Sequence, residues 1–321
     1  MKKFLSFGLI VYILITIISV ILLSYLFKTY SKNFSVLSPL PDFLTYSKNK
    51  QVATINLWFP SLLLKVLNFN APEISAKSAI VYDLTINKTI YSKNPKERLP
   101  MASLTKIMTA IIALENKKAD DKYVVTKSTL VGENAMGLSE GETLNLRELL
   151  YGLILLSGND SAEVIAVNFP DGRTGFIKAM NDKAKTLGLS DTNFTNPTGL
   201  EGDGLQYTTS YDLLVITKYA LSKFPTFNDV VSTFDYNIYQ TENHKAYFLE
   251  NETNLLTSYP GVKGIKTGYT PEAGLCLVTF LDYKGHKIIG VLLGSDNRRE
   301  EMKELLDYSL KIQRIKPPPH I

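Results

Sequence analysis

The sequence predicts a mixed α/β fold in which an antiparallel β-sheet packs with helices. Helical spacing of apolar residues dominates from Met101 to about Phe224. Runs typical of strands cluster on either side of that region. Two of these runs, 274–281 and 286–293, predict a β-hairpin joined at Tyr283-Lys284-Gly285. This order of elements indicates a helical subdomain inserted between the two halves of a sheet-based subdomain.

Residues 1–30 are predicted to form a membrane anchor. A pair of lysines precedes an uncharged apolar stretch over residues 4–27. That stretch exceeds the roughly 20 residues that span a bilayer, and it is longer than the signal-peptide core of about 7–15 residues. Because no Ala-x-Ala cleavage pattern follows, we expect an uncleaved signal-anchor. Lys28 and Lys32 lie just beyond the stretch, so charge alone leaves its orientation open.

The rest of the chain divides into three parts. Residues 31–72 form a poorly patterned juxtamembrane segment or linker, which is unusually apolar around residues 58–67. We expect that apolar part to pack on the following domain, and contact with a membrane surface is the alternative. Residues 73–313 are long enough for one large domain with a substantial core. The prolines of the tail, 314–321, exclude a helix there.

Composition disfavours several classes of function. The formal net charge of +4 is mild, and no basic cluster with interleaved aromatics indicates a nucleic-acid partner. The single cysteine, Cys276, lies in an apolar run and can form no intramolecular disulfide. The sequence contains no Cys/His spacing typical of zinc and no phosphate-binding glycine loop. We therefore expect neither a metal nor a cofactor.

The first chemical pattern is Ser103-Leu104-Thr105-Lys106. On a helix, a spacing of three residues places the serine and the lysine on one face. A serine hydroxyl needs a base to become a nucleophile. The chain has 3 histidines, none of them beside a convincing serine, so the sequence disfavours a Ser-His-Asp triad. Lys106 is the candidate base.

The surroundings of this pattern favour that chemistry. A lysine acts as a base only when desolvation or a nearby cation lowers its pKa, and an apolar helical stripe surrounds Lys106. Pro100 stands just ahead of the predicted helix start, so Ser103 falls in the first turn. Unpaired backbone N–H groups of a first turn can help to hold an oxyanion.

The second pattern, Ser157-Gly158-Asn159, lies in a predicted turn between two helices. Asn145 and Glu148 have the spacing of a capping box that opens the first of these helices. Asp160 and Glu163 repeat the spacing and are predicted to cap the second helix. The polar side chains of the turn are therefore expected to face a cleft.

The third pattern, Lys266-Thr267-Gly268, ends a predicted strand over residues 261–265. Its lysine and threonine offer a charge and a hydroxyl to a substrate carboxylate. Gly268 would let a substrate backbone approach the strand closely. Since the predicted hairpin follows, we expect the pattern to lie along the edge strand of an antiparallel sheet.

In this order and these settings, the three patterns resemble the active site of penicillin-recognising serine enzymes. From about residue 75 to about 312, the chain is similar to one branch, the serine-type D-alanyl-D-alanine carboxypeptidases, which are low-molecular-mass penicillin-binding proteins. The resemblance implies the β-lactamase/transpeptidase-like fold, with residues 73–313 as the catalytic domain. Besides the three patterns, it includes residues 79–83, 99–103, 196–200 and 273–278.

The resemblance implies an acyl-enzyme route. Ser103 would attack the carbonyl between two terminal D-alanines, and Lys106 would take its proton. The backbone N–H groups of Ser103 and Tyr269 would form the oxyanion hole. Ser157 would relay a proton to the leaving amine.

The same resemblance implies how the substrate is held. Asn159 would bind the substrate amide, while Lys266 and Thr267 would anchor the terminal carboxylate. Arg298 would help them, although an arginine near the start of the final amphipathic helix is often a solvated charge. The adjacent Arg299 is an alternative helper.

The implied partners are peptidoglycan stem peptides as substrates and β-lactam antibiotics as covalent inhibitors. Peptidoglycan lies outside the cytoplasm of bacteria. Together with the single-pass N-terminal anchor predicted above for the bacterial cell membrane, the resemblance therefore implies that the catalytic domain lies outside the cytoplasm.

Three other functions are compatible with some of the same sequence patterns. The sequence does not separate a carboxypeptidase from an endopeptidase that acts on crosslinked peptides. A β-lactamase shares the three patterns but needs a positioned base for deacylation, such as a Glu on a separate loop. The sequence has no such loop motif, and Glu163 belongs to a predicted capped helix. A catalytically silent wall-binding scaffold would not need Lys106.

Overall fold

The computed structural model describes Leu22, residues 70–253 and residues 255–320. Contacts divide the chain into two units, Met1–Lys50 and Gln51–Ile321. The sheet, its helices and the three chemical patterns all belong to the second unit.

The predicted membrane anchor, residues 1–30, lies outside the described residues except for Leu22, and so does most of the segment 31–72. Within the part of the chain that the structure describes, no helix is both long and apolar enough to cross a bilayer.

An antiparallel sheet forms the centre of the second unit. Within the described ranges it has five strands, in the order β2-β1-β9-β8-β7. The first strand, β1, pairs with β9, so that Ser78 lies opposite Leu293. Two short strand pairs, β3-β4 and β5-β6, stand apart from it. The strands are β1 (Ser78–Asp83), β2 (Lys88–Lys93), β3 (Tyr123–Val124), β4 (Thr143–Leu144), β5 (Asp235–Ile238), β6 (Tyr247–Glu250), β7 (Val262–Thr270), β8 (Gly274–Tyr283) and β9 (His286–Ser295).

Helices dominate the chain between β2 and β7, as the sequence predicts for an inserted helical subdomain. A short 3₁₀ turn, Ala102–Leu104, leads directly into the first of them. A last helix follows β9 and packs on the other face of the sheet. The helices in the described residues are α1 (Thr105–Glu115), α2 (Leu146–Leu155), α3 (Asn159–Val167), α4 (Gly172–Thr186), α5 (Ser210–Lys223), α6 (Pro225–Ser232), α7 (Leu255–Ser258) and α8 (Arg298–Ile312).

The sheet separates two hydrophobic cores. Successive side chains of a strand point to opposite faces. On β1, Ile80 and Tyr82 therefore join the core shared with the helical subdomain, while Ala79 and Val81 join the core beneath α8. Both faces of the central strands are covered, so the sheet is a rigid support for residues at its edge.

The predicted hairpin is confirmed. Strands β8 and β9 pair up to Tyr283 and His286, and Lys284 and Gly285 make the turn between them. Both turn residues have positive φ, 46° and 83°, which is typical of the tight turns whose twist matches that of the flanking strands.

The predicted capping box of α2 is also confirmed. The Asn145 side chain accepts from the backbone N–H of Glu148 at 3.0 Å, and the Glu148 carboxylate accepts from the N–H of Asn145 at 2.9 Å. This reciprocal pair fixes the start of the helix whose end leads into the second pattern.

Candidate active site

The three sequence patterns lie on three different elements. Ser103 lies on the 3₁₀ turn before α1, and Lys106 lies in the first turn of α1. Ser157 lies between α2 and α3, and Asn159 begins α3. Lys266 lies on β7, an edge strand of the sheet. Side-chain contacts join the first two patterns, and packing joins the first to the third.

Lys106 is the centre of the contacts. Its Nζ lies 3.0 Å from Oγ of Ser103, 2.6 Å from Oδ1 of Asn159 and 2.7 Å from the carbonyl oxygen of Thr198. The last two oxygens only accept hydrogen bonds. A neutral amine that donates to both therefore keeps its lone pair for the hydroxyl of Ser103.

The surroundings of Lys106 favour that neutral form. Burial lowers its pKa well below the ordinary value, and the charge of Lys266 lowers it further. The charges of Glu252, Asp160 and Glu163 act in the opposite direction. Desolvation and a nearby cation are the two causes by which a lysine becomes a general base.

Ser157 has a strained backbone and a free hydroxyl. Its φ is 57°, a left-handed conformation that is uncommon for residues other than glycine. The side chain is buried, and its Oγ has no hydrogen-bond partner among the described residues. Such strain is often kept at functional positions. The hydroxyl, which has no partner among the described residues, can accept one proton and donate another.

Asn159 holds other protein groups in place. Its Oδ1 accepts from Lys106, and its Nδ2 donates to the carbonyl oxygen of Glu133 at 2.8 Å. Its backbone N–H also donates to the carbonyl of Asn134 at 2.8 Å. Asn159 is therefore a positioning residue for Lys106. Its predicted role in binding the substrate amide stays a prediction.

The prediction that Asp160 caps the following helix is wrong. The N-cap of α3 is Gly158, without a side-chain cap. The Asp160 carboxylate instead accepts from three consecutive backbone N–H groups of residues 136–138, at 2.8, 2.9 and 3.0 Å. A buried N–H group without an acceptor is costly, so Asp160 fixes this loop against the second pattern.

Glu163 does not complete a capping box either. Its carboxylate pairs with Arg173, whose Nε lies 2.8 Å from Oε2. The same guanidinium lies 2.7 Å from the Asp203 carboxylate. Glu163 therefore links α3 to α4 and to the loop that contains Asp203.

Lys266 is a buried cation without a partner. Its side chain is only 1% exposed, and Nζ has no hydrogen-bond partner within the described residues. Burial lowers its pKa to about 8, while the charge of Glu252 raises it and that of Arg298 lowers it. Thr267 is also buried beside it on β7. A free ammonium and a neighbouring hydroxyl suit an anionic ligand.

Gly268 packs closely against another part of the chain. A Cβ at this position would lie 3.1 Å from the carbonyl oxygen of Met101 and 3.2 Å from the backbone nitrogen of Ser103. Strand β7 therefore packs directly on the turn that carries Ser103. The predicted approach of a substrate backbone at Gly268 stays a prediction. The next residue, Tyr269, has an exposed side chain, so only its backbone N–H is relevant to an oxyanion hole.

The Arg298 side chain binds backbone carbonyl groups of β7 and β8. Its Nη1 donates to the carbonyl oxygen of Gly268 at 2.6 Å and to that of Cys276 at 3.3 Å. Burial lowers its pKa, and it is not a solvated surface charge. The alternative, Arg299, contacts its neighbour Glu300 instead, with 3.5 Å between Nε and Oε1. Arg298 therefore holds two paired strands together next to the third pattern.

The sequence patterns missed two parts of the site. The carbonyl of Thr198 is a direct partner of Lys106, and the Asn196 side chain shapes its loop by accepting from the N–H groups of Thr198 and Gly199. Gly199 is packed so tightly that a Cβ would lie 2.0 Å from the carbonyl oxygen of Ala102. Glu252, whose charge acts on both lysines, also carried no sequence signal.

The chain is similar to known D-alanyl-D-alanine carboxypeptidases. A family model described as D-alanyl-D-alanine carboxypeptidase matches residues 65–297. The D-alanyl-D-alanine carboxypeptidase DacF of Bacillus subtilis is 35% identical over 244 residues, which cover 73% of this chain and 62% of that relative. The chain thus spans somewhat less than two thirds of that relative's length. Proteins named D-alanyl-D-alanine endopeptidase, from Pseudomonas aeruginosa and Escherichia coli, are 30% and 33% identical.

Two solved structures show the same fold. The Streptomyces K15 DD-transpeptidase has a TM-score of 0.71 and 32% identity, over 76% of this chain and 100% of that one. Penicillin-binding protein D2 of Listeria monocytogenes, in its cefotaxime-bound form, has a TM-score of 0.66 and 28% identity, over 75% of this chain and 100% of that one. The predicted β-lactamase/transpeptidase-like fold is confirmed. Since the family model covers most of the sequence, the chain belongs to the D-alanyl-D-alanine carboxypeptidase family.

Proposed function

We propose that this chain is a serine D-Ala-D-Ala carboxypeptidase that removes the terminal D-alanine from peptidoglycan stem pentapeptides. The observation that carries the proposal is the contact between Lys106 and Ser103, with 3.0 Å between Nζ and Oγ. Both other partners of that nitrogen are acceptors. The family of the chain and the names of its relatives support the same reaction.

In the proposed acylation, Oγ of Ser103 attacks the carbonyl carbon between the two D-alanines, and its proton moves to Nζ of Lys106. The backbone N–H groups of Ser103 and Tyr269 hold the oxyanion. The C–N bond then breaks, and the departing amine receives a proton through the hydroxyl of Ser157. Water cleaves the resulting ester and restores Ser103.

In the proposed binding mode, the terminal carboxylate of the substrate lies against Lys266 and Thr267. A buried ammonium without a partner is unfavourable, and an anionic ligand offsets that cost. Arg298 holds β7 against β8, because it donates to the carbonyl oxygens of Gly268 and Cys276. β-Lactams, which resemble the D-Ala-D-Ala end, are proposed to acylate Ser103, and a related penicillin-binding protein is known with cefotaxime bound.

The proposed location is the outer face of the bacterial cell membrane. The apolar stretch over residues 4–27 supports an uncleaved single-pass anchor. Peptidoglycan as the substrate requires the catalytic domain, residues 73–313, to lie outside the cytoplasm.

Endopeptidase action on crosslinked peptides is the second candidate, supported by relatives with that name. Both reactions use the same nucleophile, so they differ only in whether the leaving group is a single D-alanine or a second stem peptide. The proposed contact of Lys266 and Thr267 with the terminal carboxylate of a single D-alanine supports the carboxypeptidase.

The deciding experiment incubates the full-length chain with a stem pentapeptide and, separately, with a crosslinked dimer of stem peptides. We expect release of free D-alanine from the pentapeptide and little cleavage of the dimer. Benzylpenicillin should add once to the peptide that contains Ser103, as mass spectrometry can detect. Ser103→Ala should lose both the adduct and the turnover, and an unchanged adduct in that variant would refute Ser103 as the nucleophile.

A further inference from the structure

The peptide bond between Ala102 and Ser103 carries one of the two N–H groups of the proposed oxyanion hole. Ala102 has a φ of 48°, a left-handed conformation that is uncommon for residues other than glycine. Strain of this kind persists only where the surrounding structure holds it. If the peptide rotated to relieve the strain, the Ser103 N–H would turn away from the substrate carbonyl.

Thr105 holds the other side of this peptide. Its Oγ1 donates to the carbonyl oxygen of Ala102 at 2.9 Å, and its backbone N–H donates to the same oxygen. In a planar trans peptide the C=O and N–H bonds point in opposite directions, so a fixed oxygen also fixes the N–H of Ser103. A hydrogen bond to the carbonyl polarises the amide and strengthens its N–H as a donor. Thr105 is fully buried.

Gln206 sets the direction of the Thr105 hydroxyl, which has a single proton to donate. Nε2 of Gln206 lies 3.1 Å from Oγ1 of Thr105. The other end of the amide, Oε1, accepts from the backbone N–H groups of Thr195 and Asn196, at 2.9 and 3.3 Å. Because Oε1 must face these two donors, the NH₂ group faces Thr105. The hydroxyl therefore accepts from Gln206, and its proton is left for the carbonyl of Ala102.

The loop that Gln206 holds also contacts the proposed base. It supplies the carbonyl of Thr198, which lies 2.7 Å from Nζ of Lys106. In the same loop, Gly199 packs so closely on Ala102 that a Cβ would lie 2.0 Å from the carbonyl oxygen. One loop therefore supports both the base and the oxyanion donor, and Gln206 links it to the second of these.

We propose that Thr105 and Gln206 are positioning residues for the oxyanion hole. Thr105 holds the Ala102 carbonyl, and Gln206 directs the Thr105 proton to it. The Ser103 N–H is thereby aimed at the substrate carbonyl, although neither side chain needs to touch the substrate. This inference rests on the proposed carboxypeptidase function, and it adds two residues to the proposed machinery.

The test measures how strongly the carbonyl of the acyl-enzyme is hydrogen-bonded. The full-length chain is acylated with benzylpenicillin that carries ¹³C at the β-lactam carbonyl, and difference infrared spectroscopy records the stretching frequency of the resulting ester. Hydrogen bonds from an oxyanion hole lower that frequency. A misaligned hole raises it toward the frequency of a free ester, whereas a loss of stability elsewhere leaves it unchanged. The rate of acylation is measured in parallel.

Thr105→Val removes the hydroxyl and keeps the shape of the side chain. We expect the ester frequency to rise and acylation to slow by about 10- to 100-fold. That loss is smaller than the cost of about 10²–10³-fold for removing an oxyanion donor, because the Ser103 N–H is still present. Thr105→Ser keeps the hydroxyl, so it should restore the wild-type frequency and most of the rate.

Gln206→Glu tests the same contact without changing Thr105. The new carboxylate can still accept from the N–H groups of Thr195 and Asn196, but it offers no donor to Thr105. The Thr105 hydroxyl should then donate to the carboxylate and no longer to the carbonyl of Ala102. We expect the ester frequency to rise in this variant too. It also decides the question if Thr105→Val does not fold.

Thr129→Val is the matched control. Oγ1 of Thr129 also donates to the carbonyl three residues earlier, that of Thr126, at 2.7 Å, and it accepts from the N–H of Thr126 at 3.3 Å. Thr129 is fully buried as well, and it ends a 3₁₀ turn, Lys127–Thr129, outside the three patterns. Its loss should lower the stability of the protein and leave the ester frequency unchanged.

Two results would overturn the proposal. If the ester frequency in Thr105→Val and Gln206→Glu equals that of the wild type, these side chains only stabilise the fold, even where acylation slows. An equal rise in Thr129→Val would mean that the frequency reports general loosening. Failure of the proposed function would look different, since the wild-type chain would then form no acyl-enzyme and show no ester band, and this proposal would fall with it.

Discussion

The side-chain nitrogen of Lys106 lies closer to Oδ1 of Asn159, at 2.6 Å, than to Oγ of Ser103, at 3.0 Å. The amide of Asn159 is in turn fixed by the carbonyl of Glu133. The base and the nucleophile are therefore aligned by a residue from another helix. A helix spacing of three residues brings the pair together, and the contact with Asn159 decides which way the amine faces.

Removal of the base should nearly abolish acylation. Lys106→Ala is expected to lower the rate of acylation by benzylpenicillin by about 10²–10⁴-fold, the usual contribution of a general base. Stopped-flow or gel-based labelling measures the rate, and circular dichroism checks the fold. Lys218→Ala is the control, since burial also lowers the pKa of that lysine and it lines a different groove. A Lys106→Ala rate within a few-fold of the wild type would identify another base.

The hydroxyl of Thr267 should matter only for substrates with a free carboxylate. A hydrogen bond to a charged group contributes about 1.5–3 kcal/mol, so Thr267→Val should lower kcat/KM by roughly 10- to 150-fold. A substrate whose terminal carboxylate is amidated should show a much smaller loss. Thr279→Val on the neighbouring strand β8 makes the same change away from the carboxylate and should be nearly neutral. Equal losses on acid and amide substrates would mean that Thr267 supports the strand.

The lowered pKa of Lys266 predicts a fall in activity at alkaline pH. Burial lowers its pKa to about 8, so the ammonium is present below that pH and is lost above it. Because kcat/KM reports the free enzyme, its value for a peptide acid should decline as pH rises through about 8. The decline should be weaker for the amidated peptide, whose terminus does not need the charge. Identical alkaline limbs for both substrates would argue against a contact between Lys266 and the carboxylate.

The proposed anchor makes a simple prediction in cells. The mature protein should fractionate with membranes and keep residues 4–27, since no cleavage pattern follows that stretch. N-terminal sequencing of the purified protein measures this directly. A mature N-terminus beyond Ser31 would establish a cleaved signal peptide in place of the anchor.

Local rules predicted several parts of the site. The Ser103–Lys106 spacing, the Asn145–Glu148 capping box and the hairpin turn each depend on residues within a few positions of one another. Their geometry is set by the backbone hydrogen bonds of a single helix or turn. Because all the partners of each feature lie close together in the sequence, these features could be predicted from short stretches of it.

Long-range contacts were not predictable in the same way. Asp160 matched a capping pattern, but it accepts from the backbone N–H groups of residues 136–138, two of which are buried and need an acceptor. The contact of Lys106 with Thr198 uses a backbone carbonyl. Every residue has such a carbonyl, so the residue type at position 198 does not predict the contact. Arg298 resembles a surface charge in the sequence, and only the folded sheet brings the Gly268 carbonyl to it.

The pairing of β1 with β9 sets a constraint on the order in which the molecule assembles. Ser78 cannot meet Leu293 until almost the whole chain has left the ribosome, whereas helices α1 to α6 need only nearby residues. Contacts between distant parts of a chain slow folding, and an unpaired β1 exposes hydrogen-bonding groups during the delay. We therefore expect the lysine–serine pair to approach its final geometry late, because β7 supports the Ser103 turn only after the sheet has closed.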